Sequence, residues 1–117
     1  MARVVAFIPD LLFGLNVAGA LGAAGHETVL AGDAEALARE LPGAQLLIVD
    51  LTADPDRRIE QVRSAGTSGV ATLAFYSHVE TDVRERAEAA GFDLVVPRSR
   101  MAREGASLVE RLSAAGR

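Results

Sequence analysis

An α/β fold, in which one parallel sheet is covered by helices on both faces, is predicted by three observations. Apolar runs of strand length alternate with stretches of helical periodicity five times along the chain. The first run, VVAFI, is apolar throughout, as a strand buried on both faces must be. The chain has 117 residues, 50% of them hydrophobic, which suffices for one packed core.

Each element has its own local signal. Val4 to Ile8 is the first strand. After Asp10, residues Phe13, Val17, Ala20, Leu21 and Ala24 recur at helical spacing, and Gly25 supplies the stop. His26 follows that glycine and is expected at the surface near the helix C-terminus. Glu27 to Ala31 is a short second strand. Asp33 then starts a helix with Leu37, Ala38 and Leu41 on one face, closed by Pro42-Gly43. Leu46 to Leu51 is the third strand. Asp54 reads as an N-cap with Pro55 at the first helical position, and Ile59 and Val62 form the inner face of a helix ending at Gly66. Val70 to Phe75 is the fourth strand. Ser77-His78-Val79-Glu80 matches a capping box for a helix with Val79, Val83 and Ala87 inward, closed by Gly91. Leu94 to Pro97 is the fifth strand, and Leu108, Val109 and Leu112 mark a last helix with Gly105 near its start.

Five such units fit a flavodoxin-like three-layer α/β/α sandwich, a five-stranded parallel sheet in the order 2-1-3-4-5 within a single domain spanning residues 1–117. In that order the functional crevice lies at the carboxyl ends of strands one and three, where the sequence carries Asp10 and Asp50.

Composition removes several classes of chemistry. The absence of cysteine excludes disulfides, thiolate metal sites and cysteine nucleophiles. All 12 bases are arginine, so Schiff-base chemistry and phosphate sites that depend on an ammonium group are excluded. The 16 acids give a net charge of −4 and the arginines are scattered, so no footprint for nucleic acid is present. The opening MARVVAFIPD is too short in its apolar stretch for a signal sequence or a membrane span, and the reading is a soluble, cytoplasmic protein without membrane contact. The first turn, PDLLFGLN, contains neither Gly-x-Gly-x-x-Gly nor Gly-x-x-x-x-Gly-Lys, which speaks against a nucleotide or flavin protein of this fold. Neither histidine lies in a nucleophile elbow or metal motif, and no enzyme activity is expected.

The sequence resembles the receiver (CheY-like) domains of two-component response regulators along essentially its whole length. LGAAGHETVLAGDAEAL is similar to the family's first helix end, second strand and second helix start, LLIVD to its third strand, and AEAAGFDLVVP to its fourth helix end and fifth strand. The resemblance implies bacterial signal transduction by phosphoryl transfer to an aspartate at the end of strand three. It further implies Mg²⁺ held by that aspartate and an acidic pair after strand one, with a Ser/Thr hydroxyl and a lysine contacting the phosphoryl group.

The match to that site is partial. Asp50 takes the phosphoacceptor position, but Pro9 replaces one member of the acidic pair and leaves Asp10 alone. Tyr76 falls where the hydroxyl is expected, with Ser77 one residue later. The lysine position falls at Pro97 or Arg98, and a guanidinium fork differs in geometry from a compact ammonium. The resemblance therefore points to a degenerate pseudo-receiver with at most weak Mg²⁺ affinity at Asp10 and Asp50.

Each candidate also has an ordinary structural reading. Asp50 can cap a loop amide, and Asp10 can cap the first helix. Tyr76 and His78 are switch or contact residues, or else half-exposed side chains of the loop after strand four. Arg98, Arg100 and Arg103 either recognise an anion or acidic partner, or form a solvated face. Three functions follow. The first is a stand-alone module acting by protein contacts, including a homodimer on the face of helix four, strand five and helix five. The second is an atypical phosphoacceptor using Asp50 with Arg98 and Ser77. The third is a small-molecule binder. No output domain follows the last helix, so the response is expected to lie in another polypeptide.

Overall fold

The apolar runs form the strands of one sheet in a computed structural model that describes residues 2–115. The strands are β1 (Arg3–Phe7), β2 (Glu27–Ala31), β3 (Leu46–Asp50), β4 (Ala71–Tyr76) and β5 (Leu94–Pro97). The helices are α1 (Leu11–Ala23), α2 (Ala34–Glu40), α3 (Pro55–Ala65), α4 (Thr81–Ala89) and α5 (Arg98–Ala115). All strand pairings are parallel and the order is β2-β1-β3-β4-β5, as the alternation predicts. Among the described residues, no helix is long and apolar enough to cross a membrane.

Alternation along the strands divides the core into two layers. Val4, Ala6, Ile48 and Leu73 pack beneath α1 and α5, whereas Val5, Phe7, Leu47 and Val49 pack beneath α2, α3 and α4. All five residues of β3 are buried, because helices cover both of its faces.

Two helices end in the same glycine motif. After α1, Gly25 adopts φ 90°, its N–H donates to the Gly22 carbonyl, and the His26 N–H reaches back to Leu21. After α4, Gly91 at φ 95° and Phe92 repeat this pattern onto Glu88 and Ala87. At both sites the residue after glycine turns inward, which corrects the surface placement expected for His26. It is 7% exposed, and its Nδ1 accepts the Ala2 N–H at 3.1 Å.

Other local expectations are also revised. Ser77-His78-Val79-Glu80 is not a capping box. Tyr76 stays in β4, paired with Pro97, so the next four residues form the turn, in which Glu80 N–H donates to the Ser77 carbonyl. Helix α4 therefore starts at Thr81 without a side-chain cap, and Val79 is 75% exposed rather than inward. Asp54 occupies the cap position of α3 but in a left-handed conformation (φ 48°) and without a capping hydrogen bond. By contrast, Asp33 caps α2 through the Ala36 N–H at 2.8 Å. Ala20, Ala24 and Ala38 are exposed, since each falls to the solvent side of the stripe led by Phe13, Val17 and Leu21 or by Leu37. Helix α5 begins directly after β5 and Gly105 lies well inside it, where a Cβ would stand 3.0 Å from Met101 Cε.

Candidate functional site

The carboxyl ends of the strands bring the predicted site residues to one edge of the sheet. Asp50 ends β3, Asp10 precedes α1, Tyr76 ends β4, Ser77 and His78 follow it, and Arg98 opens α5.

Asp50 is 6% exposed and shares the α1/α5 face with Leu46 and Ile48. Its Oδ1 accepts both the Thr52 N–H at 2.8 Å and the Thr52 hydroxyl at 2.6 Å. This is an Asx turn reinforced by a hydroxyl-to-carboxylate bond of the short, strong kind. Oδ2 accepts no hydrogen bond from a described residue. Sequence reasoning missed Thr52, although an acid followed two residues later by threonine at a strand end is a legible signal for such a turn.

Asp10 is the N-cap of α1 and accepts the Phe13 N–H at 3.1 Å. Its carboxylate thus serves the orphan amides of the helix start. Among the described residues, no three His, Cys, Asp or Glu side chains converge closely enough to hold a metal ion. Asp10 and Asp50 each already accept a bond from their own loop, so a Mg²⁺ ion here would find two carboxylates and would complete its octahedral shell with water.

Arg98 is exposed and stacks on Phe13, with its guanidinium carbon 4.0 Å from the ring centroid. It makes no hydrogen bond or ion pair with Asp50 or any other described acid. Phe13 in turn packs on Phe75 at 5.1 Å, and Phe75 is the register partner of Asp50. Tyr76 is buried at 5% exposure in the layer beneath α3 and α4, so it is a core residue and not a loop side chain. Ser77 is half-buried and His78 exposed. Half-buried Arg100 pairs with Glu104 at 3.6 Å along α5, and exposed Arg103 pairs with the same acid.

A second cation at this edge had no sequence signal. Arg58, in the first turns of α3, lies 5.1 Å from the Phe7 ring centroid and donates to Gln61 at 3.3 Å.

This architecture is that of the response-regulator receiver domains, the CheY-like fold. The chain is similar to a response regulator from Thermotoga maritima (TM-score 0.82, 14% identity, covering 97% of this chain and 98% of that one). It is also similar to a CheY-like receiver domain protein from Methanospirillum hungatei (TM-score 0.83, 15% identity, 99% and 96% covered). Chemotaxis protein CheY4 of Vibrio cholerae superposes with a TM-score of 0.79 at 19% identity, over 96% of this chain and 98% of that one. No protein-family model and no curated protein sequence matches the chain.

Proposed function

We propose that this protein is a cytoplasmic receiver-like signalling module that acts through protein contacts and carries out no phosphoryl chemistry or other enzymatic step of its own. The observation that carries the reading is the engagement of Asp50 by Thr52, with bonds of 2.8 and 2.6 Å to one oxygen of a nearly buried carboxylate. Phosphoryl transfer depends on a metal and fixed cations placed around the transferring oxygens. Here Asp10 caps a helix, Arg98 lies on a ring, and the chain has no lysine. Exposed His78 and Val79, at the tip of the β4–α4 turn, offer an apolar and aromatic contact point for a protein partner.

An amide-shift titration with Mg²⁺ and beryllofluoride, run beside Asp50→Asn, tests the reading. Signals of Asp10, Asp50 and Ser77 are expected to stay unmoved at millimolar ligand. Saturable shifts that vanish in the Asp50→Asn protein would establish the second reading, an atypical phosphoacceptor. That reading is favoured by one observation, the Oδ2 atom of Asp50 that accepts no hydrogen bond from a described residue.

A further inference from the structure

We propose that the groove between α1 and α5 is a binding site for a small aromatic carboxylate. The two helices run side by side over the sheet and leave a cavity of about 300 Å³ between them. Its walls are Phe13, Asn16 and Ala20 at i, i+3 and i+7 of α1, facing Met101, Ala102 and Gly105 of α5. The floor is closed, since Met101 is 1% exposed, whereas Asn16, Ala20 and Ala102 open to solvent.

The cavity exists because small residues stand where a helix seam ordinarily interdigitates large ones. Glycine is disfavoured inside a helix, and Gly105 stands against the end of the Met101 side chain. A Cβ there would stand 3.0 Å from Met101 Cε, so the end of that side chain would have to give slightly.

Its dimensions and charge name the ligand class. A cavity of about 150 Å³ holds a benzene ring, so twice that volume takes a ring with a short side chain. Asn16 is the polar residue on an otherwise apolar lining and offers an amide donor. Arg98 lies one turn before Met101 and Ala102 on the same stripe of α5, stacked on the Phe13 ring that lines the groove. It pairs with no carboxylate among the described residues. Stacking occupies the face of the guanidinium and leaves its in-plane N–H donors free for a carboxylate. Asp10, three residues before Phe13, is engaged by the Phe13 N–H.

The test uses phenylacetate as probe, with 2-phenylethanol as its neutral counterpart and acetate as the ring-free control. The readout is the Met101 methyl carbon shift, assigned with Met101→Leu. Phenylacetate is expected to move it saturably in the millimolar range, and 2-phenylethanol to bind about tenfold more weakly. Arg98→Gln should abolish that difference, and Ala102→Leu should abolish binding. Ala20→Leu on the opposite wall replaces Ala102→Leu should the latter not fold. The proposal is overturned if phenylacetate leaves Met101 unmoved, if the acid and the alcohol bind equally to the unaltered protein, or if acetate alone gives the same shift. The Asp50→Asn protein should bind phenylacetate unchanged, which separates this result from the fate of the signalling reading.

Discussion

His26 and Asp50 show how single polar residues are held inside an apolar molecule. His26 Nδ1 accepts a backbone N–H, which fixes the neutral ring with its proton on Nε2, a nitrogen 3.6 Å from Glu110 Oε1. Nitrogen-15 chemical shifts should report that tautomer. His26→Ala is expected to cost about 2 kcal/mol, because it opens a cavity and strands the Ala2 N–H. For Asp50 the partner is Thr52, and Thr52→Val removes only the 2.6 Å hydroxyl bond while retaining the backbone one. A loss of about 1–2 kcal/mol in urea unfolding is expected. An unchanged midpoint would mean that water replaces the hydroxyl and that Asp50 is less committed than its geometry implies. Asp10 and Asp50 were legible as positions, because strand ends in a parallel sheet can be counted from the apolar runs. Their present roles were only partly so: a cap is a local pattern, but burial and a side-chain partner depend on how the turn closes.

Helices and strands of this chain are stabilised at their ends as much as along their faces. Gly25 and Gly91 hold φ of 90° and 95°, a region that disfavours any side chain. Replacing either by alanine should cost about 1 kcal/mol. Gly19 and Gly22 are the contrasting case. Both are exposed within α1 and a Cβ would meet nothing within 4 Å, so alanine at either should stabilise by about 0.5–1 kcal/mol. A thermal melt of the four single variants checks both signs at once. Strand β4 and the turn before β5 carry a further device that periodicity could not reveal. Thr72 donates its N–H and hydroxyl to Asp93 Oδ2 at 2.8 and 3.2 Å, and its oxygen accepts the Asp93 N–H at 3.0 Å. A threonine within ATLAF reads as an ordinary strand residue until a partner 21 positions away is brought beside it.

Stability of the whole molecule resides in two apolar layers on one sheet. Ion pairs such as Arg84–Glu88 and Arg63–Glu60 are exposed and contribute little. Raising salt to about 0.5 M should therefore shift the unfolding free energy by less than about 1 kcal/mol. Phe75→Ala is expected to cost about 3–5 kcal/mol, since Phe75 is fully buried and packs on Phe13 at 5.1 Å. Against a total of about 5–15 kcal/mol, that loss brings the chain close to unfolding at ambient temperature. The sequence by itself determined the five alternating units, the parallel sheet and the residues at its carboxyl edge, because strand and helix periods and glycine stops are local signals. Only the tertiary structure decided that His26 is buried, that Tyr76 belongs to the core, that Thr72 meets Asp93 and that Arg98 lies on Phe13. Those contacts join segments far apart in the chain, or turn on one backbone angle. No window of neighbouring residues encodes the long-range contacts, and a glycine stop marks where a helix ends without telling how deep the next side chain is buried.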